Sequence, residues 1–212
     1  MSTEVEAKFR ITDPRPLRDH LLQHGTVHRG CVLEVNRIFD TPDRRLLNAD
    51  CGLRIRECIS LDVHSPCDET PRALLTHKGP RQATDIKIRP ELETSIDDPR
   101  ALTAIFEHLG LRPVVVYEKR RETFRLGSCE VTLDELPRLG WWMEIEGPDT
   151  GEVHAARARL PLGDAAPFPQ TYVELAALNG YVDDAGCHWL LFDDGRPPLF
   201  VPKQLIVGLV QR

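Results

Sequence analysis

Glu4-Val5-Glu6-Ala7-Lys8-Phe9-Arg10-Ile11 alternates without a break between formal charge and apolar side chains. A period of two is that of a β-strand, whose successive side chains point to opposite faces. Every residue on the polar face of this strand is charged. The same pattern returns in Leu53-Arg54-Ile55-Arg56 and in Ile86-Lys87-Ile88-Arg89-Pro90-Glu91-Leu92-Glu93. Lys119 and Arg121 share a face, as do Glu130, Thr132 and Asp134, and later Glu144 and Glu146.

Between these strands the spacing predicts helices. Asp13 is the expected cap of a helix over 14–24, with Leu17, Leu21 and Leu22 on one stripe and Gly25 as its stop. Asp98 and Pro99 open a second helix that ends at Gly110, with Leu102, Ile105, Phe106 and Leu109 as its apolar stripe. A third is expected over 150–160 and a short fourth over 171–179, joined by a Pro-rich linker. Further strands are expected near 33–39, 72–78, 114–126, 129–134 and 141–146. Asp40-Thr41-Pro42-Asp43 reads as a turn and 60–71 as a polar loop. Residues 181–212 read as an extension of two or three short strands, with a turn at Asp194-Gly195.

An antiparallel sheet with one solvated face would also account for alternating charge, its cross-strand pairs worth ~0.2–1 kcal/mol each. Two features argue for another arrangement. The charge density is high on strand after strand, and the helices carry apolar stripes that need an apolar sheet face to cover. If helices pack on the apolar side, the charged faces share a lumen. About eight strands close into a barrel just wide enough for a small ligand. The expected fold is therefore α+β: an eight-stranded antiparallel β-barrel, or tunnel, with a charged lumen and helices packed outside. Uncompensated buried charge is very costly, so an interior rich in Arg and Lys calls for a polyanion, and its carboxylates call for metal ions.

Bulk composition sets the limits. The 212 residues are 41% hydrophobic and 28% charged, ordinary for a soluble globular chain. The net charge of −6 and the 6% aromatic content disfavour a nucleic-acid platform. No apolar run approaches the ~20 residues that span a bilayer, and the charged start carries no apolar leader, so a cytoplasmic location is expected. The six cysteines have no CxxC spacing and are expected as free thiols.

Several motifs occur in a fixed order: Glu4-Val5-Glu6-Ala7-Lys8, Arg37-Ile38-Phe39-Asp40-Thr41-Pro42-Asp43, Gly52-Leu53-Arg54-Ile55-Arg56 and Thr76-His77-Lys78-Gly79-Pro80. Arg89-Pro90-Glu91-Leu92-Glu93, Glu118-Lys119-Arg120-Arg121, Val131-Thr132-Leu133-Asp134 and Met143-Glu144-Ile145-Glu146 follow. Together they resemble the CYTH, or triphosphate tunnel metalloenzyme, superfamily over roughly residues 4–180. The resemblance implies dependence on Mg²⁺ or Mn²⁺ and chemistry at a small-molecule triphosphate. It implies a phosphate clamp of Lys8, Arg54, Arg56, Lys78, Lys119 and Arg121, with Arg37 and Arg89 as further members. Glu4, Glu6, Glu144 and Glu146 are the implied metal ligands, joined by Asp134. Lys78, Glu6 and Glu144 stand nearest the chemistry. Glu91 and Glu93 fit either a metal or the support of the cations.

Three functions share this machinery: hydrolysis of a triphosphate, cyclisation of ATP with release of pyrophosphate, and non-catalytic polyphosphate or nucleotide binding. The Phe39–Asp43 and Gly52–Arg56 motifs look most like the hydrolases, and the few aromatics leave little to sandwich adenine. His20 and His24 lie one helical turn apart but lack the glutamate of a zinc-protease motif. Asp183-Asp184 and Asp193-Asp194 read as turns, and Arg44-Arg45 as a solvated loop tip. The domain is expected over 1–180, with the 181–212 extension packing on the barrel or on a second copy in a homodimer.

Overall fold

The computed structural model describes residues 2–61, 73–82 and 86–193. The chain runs β1 (Ser2–Ile11), α1 (Arg15–Gln23), β2 (Val27–Asp40), α2 (Arg45–Asn48), β3 (Gly52–Ser60), β4 (Ala73–Lys78) and β5 (Lys87–Ser95). It continues through α3 (Pro99–His108), β6 (Arg112–Leu126), β7 (Cys129–Leu136), β8 (Gly140–Glu146), α4 (Thr150–Ala158), α5 (Tyr172–Asn179), β9 (Tyr181–Val182) and β10 (His188–Leu190).

The first eight strands pair antiparallel in the order β2-β3-β4-β5-β1-β8-β7-β6, and β6 returns to β2 from Val27↔Arg125 to Asp40↔Arg112. That last pairing closes the sheet into an eight-stranded barrel and leaves none of the eight as a free edge. β10 adds a short parallel strand on β6 at Val115–Tyr117, just before the stretch of β6 that pairs with β7. β9 then pairs with β10.

The apolar core lies outside the barrel. Val5, Ala7 and Phe9 of β1, Val131 and Leu133 of β7, and Met143 and Ile145 of β8 face outward. They pack under Leu17 and Leu21 of α1 and Val153 and Ala156 of α4. On another side Phe39 and Ile55 meet Phe106 of α3, the two rings edge to face at 5.2 Å. These strands bury their apolar faces under helices, and the alternation turns their charged faces inward, whereas Pro90 and Leu92 on the outer face of β5 stay exposed. Helix α5 differs from the other helices. Its Tyr172, Leu175 and Ala176 pack with inward-facing Ile38, Val115, Tyr117 and Trp142, so it covers one end of the barrel instead of its side.

Local chemistry explains departures from the expected boundaries. The turn at 40–43 leads into a helix, α2, because the buried Asp40 carboxylate accepts the N–H groups of Thr41, Leu46 and Leu47. Asp13 does not cap α1; Pro14 holds that position, and Asp13 binds the Arg15 N–H and guanidinium. Asp98 caps α3 as expected, through Arg100 and Ala101. Thr171 and Glu174 form a capping box that starts α5. Most of the 60–71 loop, the Asp194-Gly195 turn and the rest of the expected 181–212 extension beyond Asp193 lie outside the described residues. No described helix is long and apolar enough to cross a membrane. Cys31, Cys51, Cys58, Cys129 and Cys187 are free thiols.

Candidate active site

The inward faces enclose a cavity of about 450 Å³. Every strand of the barrel contributes a charged side chain to it or to the layer directly behind it. β1 contributes Glu4, Glu6 and Lys8, β3 contributes Arg54 and Arg56, β4 contributes Lys78, and β5 contributes Lys87, Arg89, Glu91 and Glu93. Lys119 and Arg121 come from β6, Glu130 from β7, and Glu144 and Glu146 from β8. Arg81, Asp50 and Glu174 join them from the connections and α5, so that nine cations and nine carboxylates line the cavity among the described residues. A polyanion entering this balanced lumen would leave it negative, and accompanying cations would restore neutrality.

The cations differ in how firmly they are held. Arg121 is forked by Asp134 at 2.6 and 2.7 Å and reaches Glu144 at 2.5 Å. Burial disfavours its charge, but Asp134, Glu34 and Glu144 outweigh that and raise its pKa well above the usual value. Lys119 sits 3.3 Å from both Glu34 and Asp134. Glu34, missed from sequence, is the hub of this side, facing Arg56, Lys119 and Arg121. Lys8 lies 3.3 Å from Glu144, donates to Gln170 O at 3.1 Å, and stands 3.9 Å over the Tyr172 ring. Burial lowers its pKa despite Glu144 and Glu6. Arg54 and Arg56 are the loosest. Their nearest carboxylates are 3.9 and 3.4 Å away, and both Nε–H groups are buried without a hydrogen-bond partner among the described residues.

The carboxylates of β1 are engaged by lysines. Lys78 binds Glu4 at 2.5 Å and Glu91 at 3.1 Å, and Lys87 binds Glu6 at 2.7 Å. Burial would raise the pKa of Glu4 and Glu6, but these lysines bring both below the usual range. Burial likewise opposes the Lys87 charge, which Glu6 and Glu4 more than restore. Glu146 has no such relief. Water reaches its side chain, yet enclosure by the wall and the like charges of Glu4 and Glu6 push its carboxyl up to about 7. Glu4 Oε2 is buried without a hydrogen-bond partner among the described residues. Hard oxygen donors, one orphaned and one crowded by like charge, fit a divalent cation such as Mg²⁺ or Mn²⁺. With Lys78 and Lys87 on Glu4 and Glu6, no three Asp, Glu, His or Cys side chains converge at ligand spacing among the described residues.

Most of the residues singled out from sequence reach this cavity, and two do not. Arg37 is a correction: it shares the outer face of β2 with Phe39 and pairs with Glu57 outside the lumen. The odd and even positions of β2 decide this, since Glu34, Asn36 and Ile38 take the inside. Asp134 is fully buried behind the wall, where Lys119, Arg121 and the Tyr172 hydroxyl all donate to it. It holds the cations from behind. Arg89 lines the cavity, but its guanidinium donates to Gly79 O and Asp50 O at 2.8 Å. Lys87, Arg81, Glu34 and Tyr172 were missed. The alternation of β5 and β2 marks Lys87 and Glu34 as candidates, whereas nothing local in sequence marks Arg81 or Tyr172. Trp142 packs inward against Phe168 and Tyr172, while Trp141 faces out.

The family model of the CYTH domain matches residues 2–159. A Methanocaldococcus jannaschii protein provisionally named an adenylate cyclase is 29% identical over 143 residues, 68% of this chain and 75% of that one. The structure of the PH1012 protein of Pyrococcus horikoshii OT3 is similar at a TM-score of 0.66 and 22% identity, covering 81% of this chain and 98% of its own. HpAC1 of Hippeastrum is similar at a TM-score of 0.61 and 16% identity, covering 82% and 94%. It too carries a provisional adenylyl cyclase name, and it reveals a dominant triphosphatase activity. At these identities the structural likeness is one of fold.

Proposed function

Because the chain belongs to the CYTH domain family, we propose that it hydrolyses a triphosphate, inorganic or small organic, inside its cationic lumen. The family is metal-dependent and includes triphosphatases and adenylyl cyclases. The observation that carries the reading is the pair Arg54 and Arg56, which line the lumen and whose buried Nε–H groups have no hydrogen-bond partner among the described residues. A buried donor left unsatisfied costs about 1–3 kcal/mol, and a guanidinium fork matches two phosphate oxygens.

Glu4, Glu6, Glu144 and Glu146 would hold Mg²⁺ or Mn²⁺, which supplies charge neutralisation on the phosphates when bound. Arg54 and Arg56 bind phosphate oxygens in bidentate fashion, while Lys8, Lys119 and Arg121 are aimed by Glu34, Asp134 and Tyr172. Lys78 and Lys87 exchange their carboxylates for phosphate oxygens. Water attacks the terminal phosphorus and the bond to the bridging oxygen breaks. The electron pair stays on the departing diphosphate, where Lys78 meets the developing charge. The water's proton passes to Glu6 or Glu144 and then to solvent.

Hydrolysis is favoured over cyclisation because, among the described residues, only Tyr117 and Tyr172 bring aromatic rings to the cavity, both buried. Among the described residues no further ring lines the cavity to place a ribose hydroxyl at the first phosphorus. The deciding experiment is product analysis with Mg²⁺ or Mn²⁺ on inorganic triphosphate, thiamine triphosphate and ATP, with Glu6→Ala as control. Orthophosphate release that disappears in the variant supports hydrolysis. Equal amounts of cyclic AMP and pyrophosphate from ATP overturn it.

A further inference from the structure

We infer that two lysine–glutamate pairs of the lumen, Lys87–Glu6 and Lys78–Glu4, are latches that couple the divalent cation to the triphosphate, each ligand strengthening the binding of the other. This rests on the reading above for which ligands enter. Lys87 Nζ lies 2.7 Å from Glu6, and Lys78 Nζ lies 2.5 Å from Glu4 and 3.1 Å from Glu91. The strand register builds both pairs. Glu6 stands directly opposite Lys87 on β5, and both side chains line the lumen. Glu4 stands opposite Arg89, but that guanidinium donates to Gly79 O and Asp50 O, which leaves Glu4 to Lys78 of β4. Lys8 does not stand in for Lys87, because it lies 3.9 Å from Glu6 and is drawn to Glu144 and Gln170 O.

The latches occupy the carboxylates that a cation needs. A cation arriving alone would draw Glu4 and Glu6 from their lysines and leave two enclosed ammonium groups without partners. A triphosphate arriving alone would draw the lysines away and leave Glu4 and Glu6 bare beside Glu146, which their charges already crowd. Splitting an enclosed ion pair from one side leaves an uncompensated charge and is strongly unfavourable. When both arrive, the lysines pass to phosphate oxygens and the glutamates to the cation, and no charge is left alone. The coupling belongs to binding equilibria, so the two ligands tighten one another by the same factor.

The test titrates Mn²⁺ into the full chain with and without saturating imidotriphosphate, a non-hydrolysable triphosphate, and reads free Mn²⁺ by electron paramagnetic resonance. Wild type, Lys87→Met, Lys78→Met and Arg54→Met are compared. Arg54 pairs with Glu93 and Thr76, so its loss removes the same charge from the lumen without touching Glu4 or Glu6. Without imidotriphosphate, Mn²⁺ should bind each lysine variant at least tenfold more tightly than wild type, and Arg54→Met within threefold of it. The factor by which imidotriphosphate tightens Mn²⁺ should be at least tenfold smaller in the lysine variants. Chelation of Mn²⁺ by imidotriphosphate itself is the same for every protein and cancels in that comparison. Either lysine variant suffices if the other does not fold, as judged by its melting curve. An Mn²⁺ affinity unchanged in the lysine variants, or raised as much in Arg54→Met, overturns the inference. Coupling without orthophosphate release defeats only the hydrolytic reading. Orthophosphate release with equal coupling in all four proteins defeats only the latches.

Discussion

The Tyr172 hydroxyl donates to Asp134 Oδ2 at 2.9 Å, linking the helix that covers the barrel end to the carboxylate that forks Arg121. The same ring lies under Lys8 at 3.9 Å and near Lys119 at 5.0 Å. Three phosphate-binding candidates from two strands are thus oriented by one residue of α5. Tyr172→Phe keeps the ring and loses one buried hydrogen bond, a cost of about 1 kcal/mol. It should raise KM a few fold. Tyr172→Leu also removes the cation–π contact and should raise KM tenfold or more, with kcat less affected. Equal effects of the two variants on KM would refute the ring's part.

Arg37 and Arg54 are both strand arginines, but they face opposite sides of the barrel. Arg54→Ala should lower kcat/KM for the triphosphate by about a hundredfold, as a lost charge-assisted contact in a water-poor site does. Arg37→Ala should leave kcat/KM within threefold. It should lower the melting temperature instead, because breaking a buried ion pair costs about 3–5 kcal/mol. Steady-state kinetics and thermal melts on the two proteins separate the cases.

Glu34 sets an acid limit on stability. Burial would raise its pKa, but Arg56, Lys119 and Arg121 hold it well below 4.5. A carboxylate with a depressed folded pKa contributes stability that is fully present above its unfolded value and is lost as pH falls through the folded one. Melting temperature should therefore fall steeply below about pH 4.5. Glu34→Gln should be less stable at pH 7, and its melting temperature should depend less on pH in the acid range.

Glu146 works in the opposite sense. With its folded pKa raised to about 7, its ionised form disfavours the fold above that pH, and the penalty fades as pH falls toward the unfolded value. In metal-free buffer Glu146→Gln should melt higher than wild type at pH 8, with the difference shrinking at pH 5. Added Mg²⁺ should stabilise the wild type more than the variant. A variant that is never more stable, at any pH, would refute the crowding of Glu146 by Glu4 and Glu6.

The Arg81 clasp should govern the mobility of α5. Arg81→Ala releases both Asp50 and Glu174, and hydrogen exchange over 172–179 should quicken relative to the barrel strands. Unchanged exchange there would show that apolar packing alone holds the helix.

Strand alternation alone determined much of this protein. Glu4, Glu6 and Lys8 against Val5, Ala7 and Phe9 is a local pattern with one solution once helices claim the apolar face, and it specified a charged lumen. The same parity placed Arg54, Arg56, Lys119, Arg121, Glu144 and Glu146 without reference to any neighbour. Parity depends on where a strand begins and which face it buries, so Arg37, read from its motif, was assigned to the wrong side until the pairing of β2 with β3 and β6 was known. Closure of β6 onto β2, the grip of Glu34 on three cations, the retreat of Asp134 behind the wall, and the arrival of Tyr172 and Arg81 belong to tertiary structure. These contacts join residues tens of positions or more apart, and a periodicity carries only the direction of a side chain, never what it will meet.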